Sequence, residues 1–99
     1  MFNQTVYKQA ARQQETKCGT LVIVDTNQGD YGFYRKILRR VVLINTGTHY
    51  YMSTGKNVIS EFGAFEYNHH AGDGPSSRFR VVERQANEAF DAALIECNA

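Results

Sequence analysis

Residues 30–67, DYGFYRKILRRVVLINTGTHYYMSTGKNVISEFGAFEY, decide the fold. Three apolar runs are cut by Thr46-Gly47-Thr48 and by Thr54-Gly55-Lys56-Asn57. Short β-rich runs between glycine-containing turns predict an antiparallel meander. The same stretch holds most of the aromatic residues and the densest basic cluster, Arg35, Lys36, Arg39 and Arg40. It supplies a scaffold and a charged surface, and no chemistry.

Within it, residues 33–45 carry two readings. The pairs Phe33-Tyr34, Ile37-Leu38 and Val41-Val42 alternate with charged pairs, a period near four that suits a helix. Val41 to Ile44 is a continuous, mostly β-branched run, and Tyr-Gly-Phe-Tyr is poor helix material. The favoured expectation is a long bent strand over 31–45 with a bulge near Arg39-Arg40. Its rival is a helix over 33–40 followed by a strand over 41–45. Strands over 48–53 and 58–67 complete the meander, the latter kinked at Gly63.

Outward from this centre, Thr20 to Thr26 is apolar on both alternating faces and reads as a central strand. Asn27-Gln28-Gly29-Asp30 reads as the turn that follows. Residues 1–18 are mainly polar, with Phe2, Val6 and Ala10 at four-residue spacing and Tyr7 and Ala11 beside them, so either a helix or a flexible arm is expected. Asn68 to Ser77 reads as an exposed loop, since it holds the only proline and two glycines. Arg78 to Glu83 alternates like a strand. Ala86, Ala89-Phe90, Ala93-Leu94 and Cys97 then follow helical spacing, with Phe79 and Val82 able to extend that stripe backwards. The fold class is thus α+β: one small domain over residues 1–99, with a mainly antiparallel sheet of four or five strands. A C-terminal helix packs on the sheet, with an N-terminal helix as a second candidate.

Size and charge narrow the function. Ninety-nine residues with a 42% hydrophobic fraction suit one thin core. A net charge of +1 argues against a polyanionic mimic and against a strongly basic nucleic-acid coat. The N-terminus has no apolar stretch of secretory length, and no run approaches the ~20 apolar residues of a membrane span. The expectation is a cytoplasmic protein with no membrane contact, with Cys18 and Cys97 reduced and not bonded to each other.

Catalytic signals are sparse. His49, His69, His70, Asp73, Cys18 and Cys97 are the conceivable metal ligands, but their spacing is not that of an established ligand pair. No Gly-x-Ser-x-Gly, His-Glu-x-x-His or phosphate-loop signature is present. Residues 71–77 suit ordinary loop chemistry better than an anion cradle. Glu61 and Glu66, five apart, fall on opposite sides of an unbroken strand; a kink at Gly63 could change that phase, but no carboxylate pair is built on it. No metal and no cofactor are expected, and no enzyme.

The basic tract is the strongest functional feature. Arg35, Lys36, Arg39 and Arg40, with Tyr31 and Tyr34, form the expected partner-binding set, beside Phe33, with Arg78, Arg80 and Arg84 as further cations. At least two of the first four should be exposed, because buried charges are costly. A tyrosine–arginine surface is typical of protein-binding hot spots. The leading expectation is a small non-enzymatic interaction protein that binds and modulates a larger macromolecular partner, with a homodimer as a further option. In size and in lack of a compact site it is similar in general character to phage and mobile-element proteins that inhibit host machinery. The alternative is a single-stranded nucleic-acid or RNA-binding module using a basic, aromatic sheet face. A small metal-dependent enzyme comes third. An ordinary outer face, its cations paired with Asp and Glu, competes with both binding readings.

Overall fold

The computed structural model describes residues 10–44, 58–70 and 77–99. Four strands form one antiparallel sheet: β1 (Arg12–Thr16), β2 (Gly19–Asp30), β3 (Tyr34–Ile44) and β4 (Val58–His70). They lie in sequence order, β1-β2-β3-β4, so neighbours in the chain are neighbours in the sheet. One long helix, α1 (Ser77–Asn98), packs on one face. This is the α+β architecture the sequence led us to expect.

The core follows from the two faces of β2. Leu21 and Ile23 point to the helix and pack with Val41, Leu43, Ala86, Phe90, Ala93 and Cys97. Val22 and Val24 point the other way and join Val42 and Ile44, with Ala10 and Val58 against them. Both sets are buried, which is why β2 reads as a central strand with no polar face. Small residues let α1 lie close to the sheet. At Gly63 an added Cβ would sit 3.5 Å from the Ala89 Cβ.

Residues 34–44 form a single strand, so the helical rival over 33–40 is excluded. The period of four has a plain cause. Successive residues on one face of a strand lie two apart, so apolar and charged side chains alternate along each face. Ile37, Arg39 and Val41 share the helix side, while Leu38, Arg40 and Val42 share the other. The bulges lie elsewhere than Arg39-Arg40. Register shifts occur between Asn27 and Gly29 on β2, and opposite Val41/Val42 and Leu43/Ile44 on β4. The second of these falls beside Gly63, where a kink was expected.

Several boundaries differ from the sequence reading. The Asn27–Asp30 turn is instead the end of β2, and the chain reverses at Tyr31-Gly32-Phe33. Gly32 has φ 72°, at the first central position of the turn, where a hairpin calls for glycine. The expected strand over 78–83 is the first part of α1. Val82 and Ala86 are buried in line with Phe90, so the apolar stripe extends backwards and overrides the local alternation. Residues 12–16, polar and expected in a helix or arm, form edge strand β1. Arg12 anchors it: Nη1 donates to Asn87 Oδ1 at 3.0 Å, Nη2 to Asp91 Oδ1 at 2.7 Å, and the guanidinium lies 4.1 Å from the Phe90 ring centre. Residues 1–9 of the N-terminal helix candidate, the strand over 48–53 and residues 71–76 of the loop lie outside the described residues. No described helix is long and apolar enough to cross a membrane.

Candidate interaction site at the β2–β3 hairpin

Strand geometry divides the basic tract. Arg35 and Arg39 stand on the helix side of the sheet; Lys36 and Arg40 stand on the other. Each has a carboxylate. Arg35 Nε donates to Asp30 Oδ1 at 2.8 Å, directly across the hairpin. Lys36 Nζ lies 3.3 Å from Glu66 Oε2, and Arg40 pairs with Glu61. Of the four, Arg35 alone is exposed, where at least two were expected; Lys36 and Arg40 are half-buried and Arg39 is buried. The expected single positive face is therefore not assembled by the sheet. Arg78, Arg80 and Arg84 are exposed on α1.

Arg39 is part of the interior, only 8% exposed. Its Nε and Nη2 donate to Asp25 Oδ1 and Oδ2 at 2.8 and 3.0 Å, a two-pronged pair set by the direct register of Asp25 with Arg39. The guanidinium lies 5.2 Å from the Phe79 ring centre. The hydroxyl of Tyr67 donates to the same carboxylate, at 3.3 Å from Oδ2. Hydrogen bonding to Asp25 raises the Arg39 pKa further, against the opposing effect of burial. Burial, then the Asp25 charge, push the Tyr67 phenol up to about 12. This network is a structural clamp.

The aromatic residues behave differently. Tyr31 and Tyr34 meet at the hairpin tip, stacked with ring centres 5.1 Å apart. Phe33 packs edge-on to Tyr34 at 5.5 Å and stacks on His70 at 5.9 Å. His70 lies 5.6 Å from Tyr34, its direct partner across β3 and β4. Despite this packing, Phe33 is 74% exposed and Tyr31 48%. The backbone makes the stack possible. Gly29 has φ 147°, its N–H bonded to Asn27 Oδ1 at 2.8 Å, and a Cβ there would crowd the Tyr31 ring at 3.1 Å. The Tyr31 N–H donates to the Tyr34 carbonyl at 2.9 Å and closes the turn.

Beside the rings lies a shallow cleft of about 390 Å³ lined by Asp30, Gly32, Phe33, Tyr34, Arg35 and His69. The Asp30 carboxyl is held below its ordinary range, chiefly by the hydrogen bond from Arg35. The cleft combines a neutralised ion pair, an imidazole and open aromatic faces. It can stack on a flat or apolar group and offer polar contacts at its rim.

Of the expected site residues, the structure brings Tyr31, Tyr34 and Arg35 together and places Lys36, Arg39 and Arg40 elsewhere. Sequence reasoning weighed His69 and His70 only as metal ligands and missed their place beside the hairpin tip, because it ended β4 at Tyr67 and placed the turn upstream of Tyr31. Among the described residues no group of three or more His, Cys, Asp or Glu side chains is arranged to hold a metal. His49 and Asp73 lie outside the described residues. Comparison with family models, curated proteins and solved structures finds no match.

Proposed function

We propose that the protein is a non-enzymatic interaction protein whose β2–β3 hairpin tip docks on a larger protein partner and modulates it. The observation that carries this reading is the exposure of Phe33 and Tyr31 on a stack that is already formed. Large aromatic rings held open to solvent represent apolar area that a partner can bury, at little further loss of side-chain freedom. Arg35, with Asp30 and His69, supplies a polar rim of the kind that surrounds such contacts.

The nucleic-acid alternative is weakened by the charge pairing. A phosphate approaching Arg35, Lys36 or Arg40 must compete with the carboxylate that each already holds. The test is capture from native lysate by the parent chain and by a Tyr31→Ser/Phe33→Ser variant, with and without nuclease. A protein retained by the parent, lost by the variant and indifferent to nuclease supports the proposal. Equal capture by both chains refutes it. Release by nuclease, with steep weakening in salt, returns the decision to the nucleic-acid alternative.

A further inference from the structure

Cys18 and Cys97 are nearly the whole chain apart in sequence, and the fold brings them together. Cys18 sits in the two-residue turn between β1 and β2, Cys97 in the last turn of α1. The turn docks on the helix end through two contacts. The Lys17 N–H donates to Asn98 Oδ1 at 3.1 Å, and the Cys18 thiol donates to the Cys97 carbonyl at 3.4 Å. A helix end leaves its last carbonyls without partners inside the helix, so the thiol satisfies one of them. Thr16 holds the turn, its hydroxyl accepting from the Cys18 N–H at 3.1 Å and donating to the Gly19 carbonyl at 2.8 Å.

Both cysteines are free thiols, Cys18 exposed and Cys97 4% exposed. We propose that this pair is a site of thiol–disulfide exchange, which a small disulfide of the glutathione class converts into an intramolecular Cys18–Cys97 clasp. Disulfides require close approach of the two residues, and here the Cys18 sulfur lies 3.4 Å from the Cys97 backbone carbonyl oxygen. Exposure sets the order of events. Cys18 loses its proton to solvent, and its thiolate attacks one sulfur of the small disulfide. That S–S bond breaks, and one glutathione leaves and takes up a proton. Cys97 then loses its proton and attacks the Cys18 sulfur, breaking the mixed disulfide and releasing the second glutathione. Two protein thiols are oxidised and one small disulfide is reduced to two thiols. Burial, more than the nearby Cys18 and Glu96, holds the Cys97 thiol above its ordinary pKa. It is therefore the resolving partner and not the first to react.

The clasp is separate from the aromatic tip. The two lie at opposite ends of β2, roughly 36 Å apart at ~3.3 Å per residue. The experiment uses the reduced full-length chain in glutathione buffers of increasing disulfide fraction, quenched with acid, alkylated after unfolding and weighed intact. The expected product is a monomer that has lost two hydrogens, with neither glutathione nor alkyl groups attached, and that reverts in excess glutathione. Cys97→Ser should stop at a single glutathione adduct on Cys18. A parent chain that ends glutathionylated, dimerises through a disulfide, or keeps two alkylatable thiols overturns the proposal.

Discussion

Replacing Asp25 by Ala tests whether the interior clamp is what makes a charged side chain tolerable in the sheet. Arg39 is almost fully enclosed, and its two hydrogen bonds to Asp25 satisfy one edge of the guanidinium. Each charge-assisted bond contributes ~1.5–3 kcal/mol when its partner is buried. Removing one member of a fully buried pair costs about 3–5 kcal/mol, because the other charge is left uncompensated. The Asp25 side chain is 37% exposed, however, so water reaches the vacated position and screens part of that loss. The expected destabilisation is therefore about 2–3 kcal/mol. Arg39→Met should cost less, since its unbranched chain keeps the packing under Phe79 and leaves behind only a carboxylate that water already touches. The double variant Asp25→Ala/Arg39→Met removes both charges and should lie within ~1 kcal/mol of the parent. Urea unfolding of all four proteins, with their coupling taken as a double-mutant cycle, measures this. An Asp25→Ala chain within ~0.5 kcal/mol of the parent would refute the clamp. So would a double variant less stable than either single one.

Phe90 is fully buried against β2 and β3, so Phe90→Ala should destabilise by about 3–5 kcal/mol in a denaturant melt; a loss below ~1 kcal/mol would contradict its place in the core. Gly19→Ala should cost more than ~1 kcal/mol, because φ is 146° and the new Cβ would meet the Ile44 carbonyl oxygen; the same melt checks it. Tyr67 has its folded pKa raised to about 12 from 10.0, so its contribution is complete below pH 10 and is lost as pH rises towards 12. Alkaline unfolding curves should show that loss, and Tyr67→Phe should abolish it. Phe33→Ser, at an exposed position, should leave stability within ~0.5 kcal/mol while weakening partner capture.

How far the sequence could be read depended on which interactions set each element. Leu21 to Val24 is apolar on both faces, and only a central strand satisfies that pattern. Ala86 to Cys97 has unbroken helical spacing. Both elements were legible because their packing is written in consecutive residues. Arg78 to Glu83 was not, since its alternation matches a strand and only the more distant Phe90 and Ala93 reveal that Val82 belongs to a longer stripe. β1 carries almost no apolar signal; it is held by pairing with β2 and by Arg12 reaching α1, a contact between residues 75 or more positions apart. The meeting of Cys18 with Cys97 has the same origin. The aromatic site was legible as composition, through Tyr31 and Tyr34, but His70 joins it only because β4 continues three residues past Tyr67.

The bulge at Phe62 on β4 explains how Arg40 comes to have a carboxylate partner. From Tyr34↔His70 to Val41↔Gly63 the pairing is regular. Continued without interruption, it would set Glu61 opposite Leu43, on the side that packs against α1. The extra residue, Phe62, shifts Glu61 opposite Val42 instead and places it on the other side, where Arg40 is its partner. Phe62 then packs against the helix-side core in its stead. One inserted residue thus removes a carboxylate from the apolar interior, replaces it with a ring and pairs a cation. Glu61 and Glu66, which an unbroken strand would separate, share a face and engage Arg40 and Lys36. The cations along β3 are consequently bound up in holding strands in register, and a ligand that used them would have to break those pairs. The rings at the hairpin tip carry no such obligation to the sheet, which is why binding is assigned to Tyr31 and Phe33 and not to the arginines beside them.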